Sequence, residues 1–293
     1  MPCDSRIVGG IAGPFEYDVD EFWTMSYAAG VGDANPRYFD SLRLRRVIAH
    51  PVFPVCLATR ARWRMEPMFI EAGLKPEESI RSVHVTQDMI LHRPIIPPER
   101  VRVTAMISAM EPRRSGTYLL TSYEIADADG APIATIHWGR LWRGVGMTGP
   151  ERRMPGIPPP PVIESGSSER AEIGIHIPPQ AAIVYTACSR ADNPVNFHTD
   201  TAAANRSGLA RPILMGVATL AMAISRIMEW QGRDNPNDIA RIHARFGAMV
   251  FMPSDVLLRA ARAGRNSAIA FEALNAEGAA AIRDGAIVWR AES

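Results

Sequence analysis

The feature that most constrains this chain is that it repeats itself. Residues 32–40 read "GDANPRYFD" and residues 191–200 read "ADNPVNFHTD", so Asn35-Pro36 recurs as Asn193-Pro194. Further along, "IIPPERVRVTAMISAM" (95–110) is echoed by "VFMPSDVLLRAARAG" (250–264). "GTYLLTSYEIADADGAPIATIHWGRLWRG" (116–144) is echoed in turn by "NSAIAFEALNAEGAAAIRDGAIVWRA" (266–291). The offset stays near about 155 residues throughout, which marks a duplicated unit. Between the copies runs "PERRMPGIPPPPVIESGSSER" (150–170), Pro-, Gly- and Ser-rich and without apolar periodicity, so an extended connector is expected there. The expected organisation is residues 1–150, a linker at 151–170, and residues 171–293.

Each copy orders its elements alike. An Asn-Pro segment leads into an apolar helix, expected at about 55–72 in the first copy and about 214–231 in the second. Three or four strands follow. Those at 99–110, 117–127 and 131–143 are separated by turn signals and suit an antiparallel meander. The second helix, within "PILMGVATLAMAISRIM" (212–228), is apolar almost all round and must be covered on most sides. A sheet curled round a central helix does that, so each half is an α+β unit.

A helix wrapped by an antiparallel sheet and repeated in tandem resembles the double hot dog fold. The local phrases resemble the MaoC-like dehydratases, which include the (R)-specific enoyl-CoA hydratases. That family's pattern runs Tyr, a spacer, Ser-Gly-Asp-x-Asn-Pro, an aliphatic residue, His and a later Asp, then Pro-Ile-(Val/Leu)-His-Gly at the helix start. Here the matching positions are Tyr185, Ser189, Asp192, Asn193, Pro194, Val195, His198, Asp200 and "RPILMG" (211–216). The resemblance implies hydration of a 2-enoyl thioester, or dehydration of the 3-hydroxyacyl thioester. Asp192 and His198 would share a water, and the Gly216 N–H at the helix N-terminus would hold the thioester oxygen. Asn193, Pro194 and Met215 would shape the substrate loop and helix start.

The departures from that pattern are specific. The family Asp and His positions are occupied by Ala191 and Asn196; Asp192 falls one residue late and His198 two. In the first half Asp33 keeps its spacing, but Tyr38 stands where the family has His. The helix-start Gly falls near Pro51, which has no N–H to donate. The first half is therefore expected to be chemically silent, with Asp33 in a turn or capping role. Trp63, Met65, Met68 and Phe69 could line an acyl pocket there, although core packing is the simpler reading. Two other readings stay open: a hot dog thioesterase, and an inactive acyl-binding partner subunit.

Composition removes other classes. A net charge of +1 gives no field for nucleic acid. Cys3, Cys56 and Cys188 form neither a disulfide framework nor a metal spacing, and a reducing cytoplasm suits them. No segment reads as a signal peptide or membrane span. "GVGMTG" (144–149) is followed by a Pro-rich run instead of a helix, so it is no dinucleotide loop. No metal or redox cofactor is expected; coenzyme A, or an acyl carrier protein, enters only as part of the substrate. Arg241, Arg245, Arg259, Arg262 and Arg265 could gather as a phosphate patch, or could form an ordinary salt-bridged face. The chain is expected to be a monomer of two hot dogs or a homodimer.

Overall fold

The computed structural model describes residues 3–40, 42, 46–79, 82–163, 169–263 and 268–291. The first half contains β1 (Cys3–Asp4), β2 (Ile11–Val19), α1 (Glu21–Gly30), α2 (Pro54–Arg64), α3 (Glu66–Glu71) and α4 (Pro76–Ser79). It continues with β3 (Ser82–Leu91), β4 (Glu99–Arg113), β5 (Gly116–Asp127), β6 (Pro132–Arg143), β7 (Met147–Thr148) and β8 (Arg152–Arg153). The second half contains β9 (Arg170–Ile177), α5 (Ala181–Cys188), α6 (Thr201–Arg206) and α7 (Gly216–Trp230). Its remaining strands are β10 (Ile239–Phe246), β11 (Ser254–Ala263), β12 (Ala268–Leu274) and β13 (Ala280–Trp289).

One antiparallel sheet runs through both halves in the order β2-β4-β5-β6-β3-β10-β13-β12-β11-β9. Read inwards from either edge, the two halves are in the same order, so the sheet records the duplication directly. The halves meet at β3 and β10, where Ile90 pairs with Arg241 and Thr86 with Arg245. This antiparallel α+β arrangement is a double hot dog.

The central helices explain the curl of the sheet. Val217, Leu220, Ala221, Ile224, Ile227 and Met228 of α7 are all buried. A helix apolar on so many faces is stable in water only when wrapped. In the first half the expected helix at 55–72 is divided: α2 ends at Arg64, Met65 caps it, and α3 resumes at Glu66. Pro67 in the first turn of α3 removes an N–H and displaces the preceding carbonyl, which accounts for the break. Met65 and Phe69 are wholly buried core residues.

The sequence reading did not anticipate the strand and helix preceding each Asn-Pro phrase, β2–α1 and β9–α5. These short helices bind the halves together: the Tyr27 and Tyr185 rings meet edge to face at 5.7 Å. A Cβ on Gly30 would come within 2.9 Å of Cys188 Sγ, so Gly30 permits the close approach of α1 and α5. The connector is tied down at Pro159, whose carbonyl accepts from Arg241 Nη2 at 2.6 Å. Residues 164–168 of the connector lie outside the described residues. Among the described residues, no helix is long and apolar enough to cross a membrane.

Truncating the centre of α7 tests this account. Ile224→Ala is expected to cost about 2–5 kcal/mol, read as a lower urea midpoint. A loss well under about 1 kcal/mol would mean α7 is not the core about which the sheet closes.

Candidate active site

The loop from Ser189 to Asp200 accommodates its two extra residues through one side chain. Asn196 Oδ1 accepts the His198 N–H at 2.8 Å, and Asn196 Nδ2 donates to the Asn193 carbonyl at 2.7 Å. The Asn196 N–H bonds Thr199 Oγ1 at 3.1 Å, while that hydroxyl donates to the Pro194 carbonyl at 2.6 Å. Asp200 then caps α6 by accepting the Ala203 N–H at 2.7 Å. The residue standing in the family's His place is thus the hub of a tight loop that presents His198 two positions later. Asn193 and Pro194 are exposed and contribute their carbonyls to this loop.

His198 is directed at the start of α7. Its Nδ1–H donates to the Ile213 carbonyl at 2.8 Å, which leaves Nε2 with a free lone pair. Burial of the ring, opposed by this hydrogen bond, pushes its pKa down to about 4, so the imidazole is neutral at pH 7. Three residues beyond Ile213 the helix begins. The Met215 carbonyl accepts from Ala218 at 3.0 Å and Thr219 at 3.1 Å. The N–H groups of Gly216 and Val217 have no acceptor among the described residues. A Cβ at Gly216 would lie 2.7 Å from the Phe246 ring, so only glycine fits here without moving that ring. His198 is therefore tied to the segment that leads into Gly216.

Asp192 is held by a cation from the other half. No hydrogen bond or ion pair joins it to His198 among the described residues. Instead Asp192 Oδ1 lies 3.1 Å from Arg60 Nη1, a cation contributed by α2 of the other half. The same Nη1 donates to the Arg190 carbonyl at 2.7 Å. Arg190, at φ 50°, is in the left-handed region and makes a two-pronged pair with Asp20, the N-cap of α1. The first half thus grips this loop at two points.

The first half holds an Asp/His pair that the sequence reading missed. His50 Nε2 lies 3.7 Å from Asp33 Oδ2 and 3.1 Å from Ser225 Oγ on α7. His50 Nδ1 accepts the Val52 N–H at 3.1 Å, which places the proton on Nε2. The signal was present: His50 precedes Pro51 as Met215 precedes Gly216. Ala49 N–H bonds Ile95 just as Leu214 N–H bonds Val250. The family's helix-start His therefore survives in the half that has lost the other one. The donor is absent, however. Pro51 and Pro54 have no N–H, Val52 uses its own on His50, and Phe53 bonds the His50 carbonyl. His50 and Tyr38 are fully buried, and Asp33 accepts the Asn35 N–H in an Asx turn, as expected.

Two clefts open at the surface, of about 300 Å³ beside His50 and Arg290 and about 800 Å³ between α1, β9 and α5. Neither is lined by Asp192, His198 or Gly216. Four of the five arginines weighed as a phosphate patch or a salt-bridged face form the latter. Arg241 pairs with Asp88, Arg245 with Asp284, Arg259 with Glu172 and Arg262 with Glu169, which makes a salt-bridged face. Arg265 lies outside the described residues.

This geometry meets its relatives at family level. Residues 163–277 match the MaoC like domain, and residues 6–136 match the FAS1-like, dehydratase domain region. The second half thus contains a MaoC-like domain and the first a FAS1-like dehydratase region, in a double hot dog fold. A UPF0336 protein of Saccharopolyspora erythraea is 26% identical over 150 residues, which is 49% of this chain and 94% of that one. A MaoC-like dehydratase from Phytophthora capsici superposes with a TM-score of 0.77 at 19% identity, covering 98% of each chain. The peroxisomal multifunctional enzyme type 2 of Drosophila melanogaster gives a TM-score of 0.72 at 17% identity. It covers 94% of this chain and 48% of that one.

His50 makes stability acid-sensitive. Burial lowers its pKa from 6.5 to about 4, so between those values the unfolded chain takes up a proton that the folded chain refuses. Stability is expected to fall as pH drops from about 6.5 towards about 4, by up to roughly 3 kcal/mol from this residue. Chemical denaturation at pH 7 and pH 5 should show a smaller drop for His50→Gln than for wild type. Equal drops would show that His50 is not the group responsible.

Proposed function

We propose that the chain adds water across the double bond of a 2-enoyl thioester, or removes it from the 3-hydroxyacyl thioester, at the start of α7. The observation that carries this reading is a neutral His198 fixed by the carbonyl of Ile213, three residues ahead of the free Gly216 N–H. In hydration, His198 Nε2 takes a proton from water as the oxygen bonds the β-carbon. The displaced π electrons pass to the thioester oxygen, where the Gly216 N–H and the helix dipole meet them. The imidazolium then returns its proton to the α-carbon, and the carbonyl re-forms. Asp192, kept beside Arg60, accepts a hydrogen bond from the water's second O–H, which stays on the product oxygen, and so directs the lone pair towards the β-carbon. Dehydration is the same path reversed. The acyl group would arrive on coenzyme A or on an acyl carrier protein, and no redox or metal step is required.

A thioesterase reading would use the carboxylate to send water at the thioester carbonyl. Crotonyl-CoA separates the two: hydration removes the enoyl absorbance without releasing thiol, and hydrolysis releases thiol. His198→Ala should lower kcat by about 10²–10⁴-fold, and Gly216→Ala should impair turnover by displacing Phe246 and blocking the donor. Unchanged turnover in a folded His198→Ala variant would remove His198 from the mechanism.

The acid limb of kcat/KM should sit close to the His198 value of about 4, far below an ordinary imidazole. A limb centred at pH 6–7 would place the proton transfer on another group.

A further inference from the structure

The end of β10 sets an aromatic ring against the residue that begins α7. Ile242 and Ala244 face the core and are wholly buried, so the alternation of a strand puts Phe246 on the same face, at the last position of β10. There it packs on the core while remaining partly exposed. A Cβ built on Gly216 would lie 2.7 to 3.1 Å from three atoms of its ring, so the ring edge rests on the Gly216 backbone.

The ring is braced from the other half. His84 of β3 meets Phe246 edge to face at 4.6 Å and stacks on Trp138 of β6 at 4.2 Å. Strands β3 and β10 are neighbours, with Thr86 opposite Arg245. An irregularity in β3 between His84 and Thr86 brings the imidazole onto the face that Trp138 occupies. Burial pushes the His84 pKa down to about 3, so at pH 7 it is a neutral, flat spacer. Three rings packed in a row leave Phe246 little freedom to turn aside.

The first half shows the same place without that ring. The Ile95 and Val250 carbonyls accept equivalent N–H groups, from Ala49 and Leu214. Four residues before each of those carbonyls stand Leu91 and Phe246. Leu91, with Ala49 and Pro51, lines the cleft of about 300 Å³ beside His50. A leucine at the helix start therefore goes with open volume, and in the second half a phenylalanine fills the corresponding place.

The α-carbon of a thioester is two bonds from its carbonyl oxygen. An oxygen held by the Gly216 N–H therefore brings that carbon beside the ring. We propose that Phe246 is a specificity-determining residue: its ring takes up the space a substituent on the α-carbon would need, so acyl thioesters unbranched at that carbon are selected. This rests on the hydratase reading for the position of the thioester, and it deepens that reading by naming the substrate class.

Propionyl-CoA and isobutyryl-CoA differ by one methyl on the α-carbon, and both are saturated, so they probe the site without any chemistry. Where a pocket has room, an added methyl tightens binding by about fourfold. Calorimetric titration of the wild-type chain should instead show isobutyryl-CoA bound at least about tenfold more weakly than propionyl-CoA. Phe246→Leu, which copies Leu91, should remove most of that gap. In turnover, crotonyl-CoA should exceed its 2-methyl derivative in kcat/KM by about 100-fold, and Phe246→Leu should cut that ratio at least about tenfold. Phe246→Met, close in volume but flexible, should narrow both gaps in the same direction if Phe246→Leu does not fold. Equal or tighter binding of isobutyryl-CoA to wild type, failure of both to bind, or gaps that Phe246→Leu leaves unchanged would overturn the inference. Equal binding with crotonyl-CoA still hydrated would overturn it while leaving the hydratase reading in place. A propionyl-CoA preference that depends on Phe246, with crotonyl-CoA left unhydrated, would support the role of the ring and overturn the hydratase reading instead.

Discussion

The structure depends on the need to cover α7. Its buried positions lie all round the helix, from Val217 to Met228, so no single packed layer could shield it. Curling the sheet round it removes that surface from water, which is the dominant favourable term in folding. A wrapped helix still has to begin somewhere, and the beginning is where unbonded N–H groups emerge. The fold therefore places a polar outlet, at Gly216, beside a loop that can supply chemistry. Packing and the candidate site follow from the same constraint.

Duplication provided two such outlets, and they have diverged in complementary ways. The second half keeps the glycine and a loop histidine; the first keeps the well-spaced aspartate and the helix-start histidine. What separates them physically is proline. Pro51 lacks the N–H that Gly216 leaves free, and Val52, in the place of Val217, and Phe53 use theirs on His50. The first half instead stabilises the second: Asp20 and Arg60 reach across to Arg190 and Asp192, and His50 reaches Ser225.

Much of the fold could be read in advance because periodicity and turn chemistry are local. The meander over 99–143, the position of α7 and the repeat itself needed no tertiary information. The split between α2 and α3 was also foreseeable from Pro67, but the apolar run around it masked the signal. The strand-and-helix lead-ins β2–α1 and β9–α5 escaped because short half-exposed helices carry little apolar pattern. For the site, His198 and Gly216 were legible from phrase and position, and the structure ties His198 to the segment leading into Gly216. Asp192 was legible as a residue but not in its attachment, because its partner Arg60 lies in the other half.

By itself, the sequence determined the duplication, the wrapped-helix architecture and which copy retained a free N–H at its helix start. These are properties of neighbouring residues and of hydrophobic period. Only the tertiary structure decided that Asn196 absorbs the shifted spacing, that Arg60 rather than His198 holds Asp192, and that His50 meets Asp33. It alone revealed that Arg140 lies inside the core. Each of those outcomes depends on which distant strands and helices meet, and on whether charges brought there find partners. Spacing along the chain cannot report that.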